Sequence, residues 1–272
     1  MIIINHNKGR LGNSIFRLLA NIVFLLVYDI DGTIKYNHIN HDIEISDEYF
    51  VNWSNNVMNE KIPEIKKSSI LYFTGFYQHD KIFNCFKNKI INYINNHPNL
   101  LLLTDKNEIY NASSLLLYNL DINKNYKIVV HLRLEDFLEI NQVLNPLTIC
   151  KILDKTINNE DNVNNKICFV INKPKKEIEF KYIDFFKRKY ENHNITIESN
   201  DPITDFNIMK NSEILICSYS TLSWCAAFFS DKVKYVYIPN YISSLHQTFK
   251  KVNNTILYDC EFCTVEKLNN II

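Results

Sequence analysis

At 272 residues the chain is long enough for one large domain or two compact α/β halves, and a hydrophobic content of 46% supplies a core. Thirty basic residues balance thirty acidic ones, which excludes the global charge bias that steers a protein to nucleic acid or an anionic membrane; any anion must be captured by a local site. Seven scattered cysteines, an odd number, do not form the framework of a disulfide-stapled secreted domain and point to a reducing, cytoplasmic setting.

In chain order, residues 2–5 form an apolar run suited to a buried strand, and apolar residues recur at helical spacing from Asn13 to Tyr28. GRLGN (9–13) therefore lies on a strand-to-helix turn, where backbone amides are exposed. It concentrates two of only four glycines, Gly9 and Gly12, with Arg10. No basic region precedes an apolar stretch at the start, and the run from Ile15 to Tyr28 is interrupted by Arg17 and Asn21. A soluble chain without signal peptide or membrane span is the expectation. Between 34 and 66 the pattern is weak. A strand at 69–73, GFYQHD and a helix near 81–95 follow, the helix carrying Ile82, Phe83, Phe86, Ile90 and Ile94.

From Lys127 strands and helices alternate: strands at 127–132, 167–171, 195–197, 214–217 and 234–238, with helices near 147–158, 176–190, 203–211 and 222–230. This predicts βαβ units and a parallel sheet. NNEDNVNN (158–165) reads as a solvated loop, and the domain boundary falls near 115–125, giving halves at 1–120 and 121–272.

Two segments carry the clearest chemistry. HLRLEDF delivers His131 and Arg133 to the carboxyl end of a strand, where open α/β sheets bind ligands, and arginine suits a phosphate through paired charge-assisted hydrogen bonds. The structural alternative is an Arg133–Asp136 ion pair. SYSTLSWCAAFF gathers Ser218, Ser220, Thr221 and Ser223 at a helix start, where hydroxyls either cap the helix or help its amides hold a phosphate. Trp224, Ala226, Ala227 and Phe228 read as the core side of that helix. Upstream, Asp205 either favours a positive helix end or accepts hydrogen bonds from a guanine base.

These pieces resemble the α-1,2-fucosyltransferase family in sequence order. KGRLGNSIF is similar to the family's G-R-L-G-N-Q, TGFYQHDKIF to its G-Y-F-Q segment, HLRLEDF to H-I-R-R-G-D-Y, and NPLTICKIL to the proline-led helix that follows. DFNIMKNSEILICSYSTLSWCAAFF is similar to D-L-x-L-M leading into N-S-T-F-S-W-W. The resemblance implies an α/β, GT-B type architecture of two Rossmann-like halves with a cleft between them. It implies inverting, metal-independent transfer of L-fucose from GDP-fucose, without a further cofactor, to a hydroxyl of an acceptor glycan. The N-terminal half would serve the acceptor side and the C-terminal half the donor.

His131, Arg133, Asp205, Ser218, Ser220 and Thr221 then become donor-site residues, Arg133 the neutraliser of pyrophosphate charge, and Arg10, Gly12 and Asn13 the cleft lining from the N-terminal half. Glu135 and Glu139 are candidate bases for the acceptor hydroxyl, with Asp136 reserved for orienting Arg133. Departures from the family pattern are Leu134 for a second arginine, Glu135 for glycine, Ser14 for glutamine, and Tyr219 and Leu222 in the last motif. Leu134 and Glu135 would lie beside the pyrophosphate and bear on donor choice.

Three other readings stand beside this one. VFLLVYDIDGTI matches the D-x-D-G-T signature of haloacid-dehalogenase-type phosphatases, with Asp29 as nucleophile and Asp31 as acid/base, but no later lysine and paired acidic ligands complete the set. A sugar-nucleotide-binding homologue without turnover is the non-enzymatic alternative. Cys260 and Cys263 form a single CxxC with no second pair at zinc spacing, and read as reduced thiols.

Overall fold

The structure, a computed structural model, describes residues 1–6, 9–36, 40–119, 124, 126–158, 166–240, 252 and 254–272. Of the expected loop at 158–165, Asn158 ends a helix and the remainder lies outside these residues, as does the expected boundary at 120/121. The chain divides into two compact units, one covering Met1–Asn119 and one within Leu120–Tyr241 and Val252–Ile272. Each is an α/β unit on a parallel sheet, so the expectation of an α/β fold with two Rossmann-like halves holds.

The first unit runs β1 (Ile2–Asn5), α1 (Leu11–Tyr28), β2 (Thr33–Lys35), β3 (Ile43–Ile45), α2 (Asp47–Met58), β4 (Ile70–Phe73) and α3 (Asp80–Asn96). A hairpin of β5 (Leu101–Leu103) and β6 (Ile109–Asn111) and the short α4 (Ala112–Leu116) follow. Four of the strands form a sheet in the order β2-β1-β4-β3, parallel throughout.

Helix α1 is eighteen residues long and apolar enough by length and composition to cross a bilayer, which the interrupted run from Ile15 had not suggested. Its burial accounts for the apolarity, since 78% of it lies inside the unit. Phe24 stacks on Trp53 of α2 at 3.8 Å between ring centroids and meets Phe73 of β4 edge-on at 5.1 Å.

Asp29 ends α1 in the left-handed conformation (φ 49°), its N–H returning to Leu25 O. This overturns the phosphatase reading: VFLLVY is helix rather than strand, so Asp29 is a helix terminator instead of a nucleophile at a strand end. Asp31 is almost fully exposed in the turn that follows.

The second unit contains β7 (Ile128–Leu132), α5 (Glu135–Glu139), β8 (Val143–Leu144), α6 (Pro146–Asn158), β9 (Ile167–Ile171), α7 (Glu177–Lys189) and β10 (Ile195–Glu198). It continues with α8 (Pro202–Lys210), β11 (Ile214–Ile216), α9 (Thr221–Phe229), β12 (Tyr235–Pro239), β13 (Thr255–Tyr258), β14 (Phe262–Cys263) and α10 (Val265–Ile271). Its six-stranded sheet has the order β10-β9-β7-β11-β12-β13, with every pairing parallel. Counted within the sheet this is 3-2-1-4-5-6, the arrangement of Rossmann folds.

Strands β7, β9 and β11 are buried along their whole length, which explains their continuous apolar runs. Tyr182 and Tyr258 reach into this interior and donate to Leu144 O and Cys217 O, each at 2.7 Å. Cysteine placement differs between the units. The first holds only Cys85, exposed on α3; the second holds the other six, with Cys150, Cys168, Cys217, Cys225 and Cys263 buried and Cys260 partly so.

Candidate functional site

In a 3-2-1-4-5-6 sheet the connections leave the first and fourth strands in opposite directions, opening a crevice at their carboxyl ends. Here those strands are β7 and β11. His131 stands near the end of β7 and Ser218 just beyond β11, and Ser218 Oγ and His131 Nδ1 share a 2.9 Å hydrogen bond across that point. Burial, reinforced by the nearby Arg133 charge, depresses the imidazole to about 3, so His131 is neutral under physiological conditions.

Two residues on, Arg133 donates through Nε and Nη2 to the two oxygens of Asp136, each at 3.1 Å, and its guanidinium lies 5.5 Å from the centroid of the Phe137 ring. The structural reading of Arg133 is thus present, but the fork to Asp136 engages only the Nε and Nη2 side of a five-donor group.

On the β11 side, Ser220 caps α9, accepting from Leu222 N at 3.3 Å, while Ser223 Oγ donates to Ser220 O at 3.2 Å. Ser220 and Ser223 therefore serve the helix start, and Thr221 is its first residue. The first turn carries no acidic side chain to offset the positive helix end. Trp224, Ala226, Ala227 and Phe228 are all buried, as the core-facing reading required.

Asp205 lies in the first turn of α8, where its sequence position put it, but is not the cap. Asp201 is, accepting from Ile203 N (3.0 Å) and Thr204 N (3.1 Å). Asp205 is buried one turn on, and its Oδ1 takes Asn200 N (3.2 Å) and Asn200 Nδ2 (3.1 Å). Burial pushes its carboxyl up to about 6 despite these hydrogen bonds, with Asp201 and Glu198 adding repulsion. Helix α8 packs on α9 and touches β7.

The loop after Arg133 corrects one expectation. Leu134 does not face a ligand: it is 1% exposed and joins the core with Ile128, Val130 and Leu132 of β7. Its difference from the family's second arginine is a packing feature. Glu135 has φ 32°, a backbone region that favours glycine, the residue the resembled motif carries there.

A carboxylate not singled out in the sequence holds this loop. Glu179 of α7 is buried and accepts from Lys175 N (2.6 Å), Lys176 N (2.7 Å), Glu135 N (3.0 Å) and Asn172 Nδ2 (3.4 Å). Asn172 Oδ1 in turn receives Leu134 N at 3.3 Å. Both candidate bases are engaged by lysines: Glu135 by Lys175 at 3.1 Å and the exposed Glu139 by Lys176 at 2.9 Å.

In the first unit, GRLGN and GFYQ meet at the carboxyl ends of β1 and β4. Gln78 Nε2 donates to Asn13 Oδ1 at 3.2 Å. Gly9 has φ 97°, and a Cβ there would lie 2.9 Å from the Phe76 ring, so only glycine fits. Gly12 is buried in the first turn of α1, and Arg10 is exposed at its N-cap without a side-chain cap bond.

Asp47 braces the GFYQ loop by accepting from Tyr77 N at 2.6 Å and Phe76 N at 3.0 Å. Arg17, noted in the sequence only as an interruption of an apolar run, is 2% exposed and contacts His6 Nδ1 (3.0 Å) and Ser14 Oγ (3.2 Å). His6 Nε2 donates to Thr74 O, so its Nδ1 accepts from Arg17.

Among the described residues no group of three or more His, Cys, Asp or Glu side chains is arranged to hold a metal. Burial raises both thiols of the CxxC, Cys260 and Cys263.

No family model matches the sequence, and no curated protein matches it. Among solved structures, the chain is similar to POFUT1 in complex with GDP, at 12% identity over 83% of this chain and 93% of that one, with a TM-score of 0.42. It is similar to the E. coli heptosyltransferase WaaC with ADP-2-deoxy-2-fluoro heptose, at 6% identity over 100% and 98%, TM-score 0.48. A third similarity is to the UDP-GlcNAc 2-epimerase from Methanocaldococcus jannaschii, at 12% identity over 99% and 91%, TM-score 0.41.

Proposed function

We propose that the chain is a GT-B type glycosyltransferase whose second unit binds a nucleotide-sugar donor at the β7/β11 crevice. The observation that carries this reading is the His131–Ser218 pair at the reversal point of the sheet, flanked by Arg133 and the N-terminus of α9. That position in a 3-2-1-4-5-6 sheet is where ligands bind, and its donors suit a diphosphate. GDP-fucose is the donor implied by the motifs, and a glycan hydroxyl the acceptor, with the first unit on the acceptor side.

As the sugar–phosphate bond breaks, negative charge builds on the leaving diphosphate. The part of the Arg133 guanidinium not turned to Asp136 would neutralise it, with Ser220, Thr221 and the α9 helix end contributing further donors. Asp136 and Phe137 hold the guanidinium in plane. His131, held neutral, contributes a hydrogen bond rather than a charge. Asp205 uses Oδ1 for Asn200, and its other oxygen suits the N–H groups of a guanine edge.

Of the two candidate bases, Glu135 is the better placed, because Glu179 fixes its backbone beside Arg133 while Glu139 is exposed on the far end of α5. The case for a homologue without turnover weakens once Leu134 belongs to the core.

The test is nucleoside diphosphate release from GDP-fucose, GDP-mannose and UDP-glucose, with and without chelator. Preferential consumption of GDP-fucose, insensitive to chelator and reduced by about 10²–10³ in Arg133→Ala, is the expected outcome. Wild-type protein that consumes none of these donors, or an Arg133→Ala variant as active as wild type, would refute the reading.

A further inference from the structure

The first unit contains a second concavity, on the free edge of its sheet. A cavity of about 480 Å³ lies between β2 and the C-terminal end of α3, lined by Gly32–Ile34, Tyr36, Tyr93, Asn96 and the segment His97–Leu101. Its volume is within the range of small-ligand pockets.

Its chemistry is selective. None of the described residues lining it is Lys, Arg, Asp or Glu, and the exposed Asp31 carboxylate beside His97 adds negative charge, so the cavity does not favour an anion. Tyr93 and His97 stack face to face with centroids 4.0 Å apart and planes 17° apart, so each ring braces the other and leaves its outer face for contact. His97 Nδ1 donates to Tyr93 O at 2.7 Å, which locks the ring, and Nε2 faces Asp31 Oδ1 at 3.9 Å. Tyr36 is fixed in the same way, its hydroxyl donating to Leu101 O at 2.8 Å.

The strand edge supplies the remaining polarity. Thr33 N–H is used on Met1 O, and peptide groups alternate along a strand, so the N–H and C=O of Ile34 point away from β1 toward the open edge. With the side-chain amides of Asn96 and Asn99, the cavity combines a rigid aromatic face with neutral donors and acceptors. A pyranose ring presents the matching surfaces: an apolar C–H face and a rim of hydroxyls.

We propose that this cavity is a binding subsite for a neutral sugar, one or two rings of a glycan. That the sugar belongs to the acceptor rests on the glycosyltransferase reading; that the cavity binds neutral sugar does not.

The experiment is ligand-observed saturation-transfer NMR on the full chain, using lactose and cellobiose as neutral probes and glucose 6-phosphate and glucuronate as charged ones. Variants are Tyr93→Ala, which removes the platform, and Asn96→Trp, which fills the cavity from an exposed position and keeps the test decisive should Tyr93→Ala fold poorly. Expected are disaccharide signals in wild type, at least tenfold weaker binding in both variants, and no comparable response to the charged probes. Absence of disaccharide binding by folded wild type, binding unchanged in folded variants, or equal binding of charged probes would overturn the proposal.

Donor turnover by the wild-type chain separates the two readings. Disaccharide binding that depends on Tyr93 and persists without any donor turnover sinks the enzyme assignment alone. Donor turnover alongside sugar binding indifferent to Tyr93 sinks this subsite alone.

Discussion

Replacing Glu179 by alanine strips one acceptor group from two loops at once. Its carboxylate receives the backbone N–H groups of Lys175, Lys176 and Glu135 and the side-chain amide of Asn172. A buried donor left without a partner costs about 1–3 kcal/mol. Water reaches these loop amides in part, so the low end applies to each backbone donor and the total comes to about 3 kcal/mol. Against a typical domain stability of about 5–15 kcal/mol this is a large fraction, and with a urea m-value of about 2 kcal/mol/M the midpoint falls by roughly 1.5 M.

Glu179→Gln keeps one acceptor oxygen and should lose about half as much. Because Glu135 N is one of the donors, the loop bearing Arg133 loosens too, and donor turnover falls with stability. Burial opposes ionisation of Glu179, but its N–H donors outweigh that and hold the carboxyl below its ordinary value of 4.5. Its stabilisation is therefore complete above that value and lost as pH falls through the lower folded one, a dependence the alanine variant lacks. An alanine variant within about 0.5 kcal/mol of wild type, with unaltered turnover, would refute this account.

Further expectations concern the same loop and its neighbours. Glu135→Gly relieves the positive φ and should unfold no more easily than wild type, while both it and Glu135→Gln lose about 10²-fold in turnover and Glu139→Gln loses none; steady-state kinetics on the three decides the base. Leu134→Arg, which restores the residue of the resembled motif, should destabilise by about 3 kcal/mol or more rather than improve donor binding, because it places a cation in the core, and denaturant titration reads this directly.

His131 binds protons more weakly folded than unfolded, so acidification from pH 7 to 5 costs about 2 kcal/mol through it. Asp205 binds them more tightly folded, and returns about 1 kcal/mol over the same interval. Stability measured against pH should flatten on the acid side in His131→Gln and steepen in Asp205→Asn; the opposite pattern would contradict both assignments.

Much of the second unit was legible because its central strands are buried on both faces and its long helices are amphipathic. Uninterrupted apolar runs in β7, β9 and β11 and the periodicity of α6 and α7 fix each element to within about two residues. The segment between 34 and 66 was not legible. Its strands β2 and β3 are three residues each, too short for alternation to register, and α2 exposes so much polar surface that only Phe50, Trp53 and Ser54 are buried.

Among the site residues, His131 and Ser218 could be named from strand ends, but their contact joins positions 87 apart and only the sheet order makes them neighbours. Glu179 lies 44 residues from Glu135 and looked like one more charge on a surface helix. A signal for Leu134 did exist. Ile128, Val130 and Leu132 share one face of β7 by period two and Leu134 continues that spacing just beyond the strand, whereas motif matching drew attention to the neighbouring Arg133.

The uneven distribution of cysteines has a practical consequence. With a single exposed thiol in one unit, and five buried thiols and the partly buried Cys260 in the other, a chromogenic thiol reagent added to native protein titrates Cys85 first, and in a Cys260→Ser background a probe attached there reports on the first unit. The buried thiols become reactive only as the second unit opens. The kinetics of their modification under increasing denaturant would therefore show, in the unaltered chain, whether the two halves unfold together or in sequence.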